Sequence, residues 1–184
     1  MSRYFVAVEP PREQSVRIVA VMRSLGDQWP VPHITVKSPN GLTPDLEWLP
    51  VVRETVRHSV PFEVKIGRPS TFDSRVLYLS VDGFGLGVLH DAILKNLSSL
   101  NGFVSEFSIE RQFTPHVTLT VARRGQTLPA FERWASALGN FEPFEVTHLT
   151  VFVRDNLATP YRVLTQLDLA NGPARPSSNQ GVST

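Results

Sequence analysis

Two strings of one pattern stand out in the sequence, Pro32-His33-Ile34-Thr35-Val36 and Pro115-His116-Val117-Thr118-Leu119. With 5 histidines in 184 residues, composition alone would supply far fewer than one Pro-His-x-Thr string. Side chains alternate along a strand, so His33, Thr35 and Lys37 would share one face and Ile34 and Val36 the other. By the same rule His116, Thr118 and Thr120 point one way, and Val117, Leu119 and Val121 the opposite way. If the apolar faces bury, both His/Thr faces look into common space. An imidazole titrates near neutral pH, so two of them suit a general acid and a general base. Two threonine hydroxyls supply donors for the non-bridging oxygens of a phosphate. Together they fit an in-line phosphoryl reaction that needs neither a metal nor a covalent intermediate. From the residues alone, the acid and base roles are interchangeable.

Other strings compete for attention. His148-Leu149-Thr150 is a third His-x-Thr, but no proline precedes it, and threonine-rich strands produce such strings by accident. His58 with His90-Asp91 could suggest a metal-dependent hydrolase, yet that chemistry sits on a helical fold and this chain is rich in strands. Gly83-Phe84-Gly85-Leu86-Gly87 reads as a turn, lacking both the Lys-Ser/Thr of a P-loop and dinucleotide spacing. Lys37 continues the His33/Thr35 face and is a candidate phosphate contact. Phe72, Tyr78 and Phe113 are candidates for stacking a base. Arg111, Arg123 and Arg124 bracket the second motif as a local positive patch.

These residues need elements to hold them. Tyr4 to Val8 reads as a strand, and a helix opened by Pro10-Pro11 follows, with Val16, Val19, Ala20 and Arg23 before Gly26. His33 to Lys37 is a strand, and Thr43-Pro44 opens a second helix striped by Leu46, Leu49, Val52 and Val56. Phe62 to Ile66 and Val76 to Val81 read as an antiparallel pair, separated by Gly67, Pro69 and Asp73. A helix over 86–97, a strand over 116–121, a short helix over 131–138 and strands over 146–153 and 161–169 complete the order. Strand, helix, then Pro-His-x-Thr thus occurs twice, which predicts two similar lobes facing each other. The residues from Ala170 onward have the composition of a disordered tail.

The balance of 18 Lys+Arg against 17 Asp+Glu argues against a protein that coats long nucleic acid, so an anionic partner would be small or gripped locally. With no cysteine, thiol nucleophiles, thiolate metal sites and disulfides are excluded. No apolar run reaches membrane-spanning length and the N-terminus lacks a signal-peptide pattern, which predicts a soluble, cytoplasmic protein.

The paired motifs resemble the two signatures of the two-histidine (2H) phosphoesterase superfamily, which includes the LigT-like 2′-5′ RNA ligases and RNA 2′,3′-cyclic phosphodiesterases. Arg3-Tyr4-Phe5-Val6-Ala7-Val8 resembles that family's opening strand, and Phe113-Thr114 the flank of its second motif. The resemblance implies an α+β fold, bilobal and pseudo-symmetric, each lobe with an antiparallel sheet and flanking helices, over a single domain 1–169 followed by the tail 170–184. It implies His33 and His116 as catalytic residues, His33 as proton donor and His116 as acceptor, with Thr35 and Thr118 on the phosphate. The substrate expected is an RNA end or nucleotide carrying a 2′,3′-cyclic phosphate, opened to a 2′-phosphate by a monomer with no cofactor, and joining of RNA ends is closely related chemistry. The alternative is a non-catalytic RNA-end or nucleotide binding module that keeps the groove.

Overall fold

The structure, a computed structural model, describes residues 2–27, 31–100, 113–122 and 138–170. In chain order its elements are β1 (Arg3–Val8), α1 (Arg12–Ser24), β2 (Ile34–Lys37), α2 (Trp48–Arg57), β3 (Phe62–Phe72), β4 (Val76–Asp82), α3 (Phe84–Leu97), β5 (His116–Val121), β6 (Phe144–Val146), β7 (His148–Arg154) and β8 (Arg162–Asp168). All the described strands join one curled antiparallel sheet in the order β6-β3-β4-β5-β2-β1-β7-β8.

The α+β class and the antiparallel pairing agree with the sequence reading. The expectation of a separate sheet in each lobe is corrected: β2 and β5, the two motif strands, pair with each other at Ile34–Val117 and fuse the halves edge to edge. The repeat remains visible. In one half β1-α1-β2 makes a neighbouring strand pair, in the other β4-α3-β5 does, and two further strands flank each.

One face of the sheet carries the core. Val6, Ile34, Ile66, Leu79, Val117, Leu119 and Val151 pack there against Ile18 of α1, Val52 of α2 and Leu86, Leu89 and Ile93 of α3. Trp48 is sunk into the same core with its indole N–H donating to the Thr43 carbonyl. Because one face is buried, a one-residue slip would exchange core and outer residues, so the register is strongly specified. The opposite face holds a smaller cluster of Phe5, Ala7 and Phe152 with Val31 and Tyr161.

Several boundaries differ from the sequence reading, each for a local reason. Thr43-Pro44 opens a turn, not a helix: Asp45 accepts from the Thr43 hydroxyl and the Glu47 amide, and Leu46 sits at φ 63°, so α2 begins only at Trp48. Pro50 then falls in the first helical turn, where a missing N–H costs nothing. Strand β3 runs on through Gly67 and Pro69. A bulge between Ile66 and Pro69 absorbs the proline, and a Cβ at Gly67 would fall on the Ser80 hydroxyl. The chain reverses instead at Asp73-Ser74, both at positive φ (48° and 53°), the pattern of a primed hairpin turn. The single strand expected over 146–153 is broken at Thr147 into β6, which pairs with β3, and β7, which pairs with β1. The Gly83–Gly87 stretch is the first turn of α3, where Gly85 lies so close to the Phe62 ring that a side chain would clash. The helix expected over 131–138 and the tail 171–184 lie outside the described residues. No described helix is long and apolar enough to cross a membrane.

Candidate active site

Ile34 and Val117 are paired and wholly buried on the core side. Their sequence neighbours must therefore project from the other face: in an antiparallel ladder His33 stands opposite Thr118, and Thr35 opposite His116. The four motif residues thus form one square on two adjacent strands at the centre of the sheet, all half-buried. The two histidines occupy a diagonal of that square, a separation of roughly 7–8 Å between Cα positions in such ladders. The threonines occupy the other diagonal.

The two imidazoles are held alike. His33 Nδ1 lies 2.6 Å from the carbonyl oxygen of Val31, and His116 Nδ1 lies 2.7 Å from that of Thr114. A carbonyl can only accept, so each Nδ1 carries its proton and each Nε2 is the atom left to exchange one. The intervening prolines, Pro32 and Pro115, explain the geometry. A residue before proline is pushed to extended conformations, and the proline's fixed φ turns that residue's carbonyl back toward the following histidine. The proline of each motif is therefore part of the device that sets the tautomer.

Aromatic rings brace both. His33 packs on Phe5 with centroids 4.6 Å apart, and Phe5 stacks on Phe152 at 4.7 Å and meets Tyr161 edge-on at 4.7 Å. His116 meets Phe72 at 5.1 Å and Tyr78 at 5.3 Å, both edge-on, and those two rings stack on each other at 3.9 Å. Burial of the His33 ring disfavours its cation and lowers its pKa from the ordinary value. The Val31 carbonyl opposes that, His116 lowers it further, and Glu9 raises it.

The remaining candidates separate. Lys37 does not share the face of His33 and Thr35. Strand β1 pairs Ala7 with Thr35 but Val6 with Lys37, so Val36 is an extra, bulged residue that carries Lys37 to the core side. There it is fully buried, with Nζ donating to the carbonyls of Ser38 and Asn40 at 3.1 and 2.6 Å. A substrate role for Lys37 is corrected on that ground. Among the base-stacking candidates, Phe72 and Tyr78 adjoin His116, whereas Phe113 stacks on His90 at 4.1 Å. His90 is itself buried beside the Val36 carbonyl, and His58 is exposed at the end of α2, so they form no common site. Arg111, Arg123 and Arg124 lie outside the described residues. His148 and Thr150 do fall on the site's face, on β7, with β1 between them and β2. The braces Phe5, Phe152 and Tyr161 were not anticipated from the sequence, although alternation along β1 does set Phe5 and Ala7 on one side.

A family model described as the 2′-5′ RNA ligase superfamily matches residues 10–158. No curated protein sequence matches the chain significantly. Among solved structures, TT0787 of Thermus thermophilus is similar at 21% identity and TM-score 0.65, covering 91% of this chain and 97% of its own. E. coli LigT complexed with 3′-AMP is similar at 20% identity and TM-score 0.59, covering 92% and 99%. A structure described as a phosphoesterase is similar at 18% identity and TM-score 0.63, covering 93% and 100%. At these identities the three show a common fold.

Proposed function

The chain belongs to the 2′-5′ RNA ligase superfamily, and on that basis we propose that it hydrolyses 2′,3′-cyclic phosphates at RNA ends or on nucleotides, using His33 and His116 as an acid–base pair. Membership supports an enzyme acting on phosphodiester bonds. The observation that carries the finer reading is the matched presentation of two imidazoles, each with Nδ1 tied to a carbonyl and each on one of two neighbouring strands. A module that only binds would have no use for two titratable groups with their tautomers fixed.

In this reading a water on one side of phosphorus gives its proton to one Nε2 as the P–O bond forms. The other imidazole protonates the ribose 3′-oxygen as its bond to phosphorus breaks, leaving a 2′-phosphate. Thr35 and Thr118 donate to the non-bridging oxygens, where charge grows in the transition state. A ribose hydroxyl in place of water would run the same steps as ligation. That E. coli LigT is seen with 3′-AMP supports a nucleotide-sized substrate.

The test is turnover of nucleoside 2′,3′-cyclic phosphates in excess EDTA with the product isomer identified. Unchanged turnover and a 2′-phosphate are expected. Loss restored by a divalent ion would sink the two-imidazole mechanism, and tight binding without turnover would favour the binding module.

The third His-x-Thr gives an internal control. Thr150 is fully buried and donates to Glu9, so this motif does not present its hydroxyl as the other two do. His148→Ala is expected to stay within a few-fold of the parent; a loss equal to that of His116→Ala would overturn the assignment of the pair.

A further inference from the structure

Glu9 immediately follows β1, whose Val8 pairs with Ile34. The next residues outward, Glu9 and His33, therefore oppose one another on the face that carries the motifs. On the other side Ala7 pairs with Thr150, which brings β7 against Glu9 as well. The Thr150 hydroxyl, with no exposed surface, donates to Glu9 Oε2 at 2.6 Å. A buried hydroxyl committed to one carboxylate oxygen fixes the carboxylate in place, where a free glutamate would sample several rotamers.

We propose that Glu9, clamped by Thr150, is a positioning residue that stabilises the imidazolium of His33 and so makes His33 the proton donor. This rests on the acid–base reading above and deepens it. The titratable groups on this face nearest to Glu9 and His33 are His116 from β5 with Tyr78 of β4 against it, His148 from β7, which the Ala7–Thr150 register sets opposite Glu9 and which pairs with Asp168 of β8, and, further along β1 and β7, the paired Arg3 and Arg154. Of these, His116 works against a cation at His33, and Glu9 is the acidic group beside it that works in favour. The third His-x-Thr then has its own purpose, because its threonine serves the first motif through Glu9. The proton balance is closed: His33 Nε2–H passes to the departing ribose oxygen, His116 Nε2 takes one from the attacking water, and solvent restores both before the next turnover.

The experiment is an NMR titration of the His33 ring in the substrate-free protein, with the pH profile of kcat/KM, for the parent, Glu9→Gln and Thr150→Val. Glu9→Gln keeps size and an acceptor for Thr150 but removes the charge. It is expected to move the His33 midpoint and the alkaline limb of kcat/KM to lower pH, with a loss of about tenfold at pH 8 and little at the acid optimum. Thr150→Val should move both in the same direction by less. Unmoved midpoints in both variants, or an equal loss at every pH, would overturn the proposal. A shift of the acidic limb instead would make His33 the acceptor and overturn its assigned role. Absence of turnover in the parent would overturn the proposed activity, while the titration, which needs no substrate, still decides the coupling of Glu9 to His33.

Discussion

Replacing either His33 or His116 by alanine is expected to lower turnover of a nucleoside 2′,3′-cyclic phosphate by about 10²–10⁴-fold, the usual worth of a general acid or base. The loss should fall on kcat with little change in KM, because the imidazoles act where protons move in the transition state and contribute little to ground-state binding. The double variant should be scarcely worse than the worse single one, since two groups that act in one concerted transfer are not additive. The parent profile should be bell-shaped, with one imidazole neutral and the other charged in the productive state. The lowered His33 pKa, with His33 as donor, means that its limb of kcat/KM falls off at a pH below that of an ordinary histidine. Full activity in either alanine variant, with melting behaviour like the parent's, would end the two-histidine mechanism.

The second large effect is expected at the threonines. Thr35→Val and Thr118→Val each keep the β-branched shape that suits a strand and remove only the hydroxyl. Each is expected to cost about 10²–10³-fold in kcat, the range for deleting one donor aimed at developing oxyanion charge. Stability should hardly change, because both side chains are half-buried on the face opposite the core and the core contacts of Ile34 and Val117 are untouched. Inorganic phosphate should inhibit the parent and lose potency in either variant. Unaltered kcat and unaltered inhibition by phosphate would remove the threonines from the site.

How far the sequence reaches can be judged from Lys37 and Ile34, three residues apart on one strand. Period-two alternation correctly sets Ile34 against the core and His33 and Thr35 on the other side, since it needs only an extended backbone and one apolar face. The same rule fails at Lys37 because Val36 is bulged against β1. A bulge is a property of two paired strands, and no single strand's residues declare it. The α2 start fails for a similar reason: Leu46 and Leu49 fit the helical stripe, but an Asp45 side chain captured by Thr43 and Glu47 holds the backbone out of the helix until Trp48. At Gly67 and Pro69 the residues that usually break a strand are tolerated by a neighbour, Ser80, and by a bulge.

Residue order was therefore enough to single out the side chains proposed for the chemistry and the face of each motif strand that His and Thr occupy. Those are local matters of residue type and alternation, whereas the tie of each imidazole to the carbonyl before its proline emerged only in the folded chain. It took the folded chain to make the two motif strands neighbours in one sheet, to turn Lys37 inward, and to set Phe5, Phe152 and Tyr161 around His33 while Thr150 reaches Glu9. Each of these depends on pairing between segments far apart in the chain. Strand order and register are set by how all the apolar faces bury together, which no segment specifies alone.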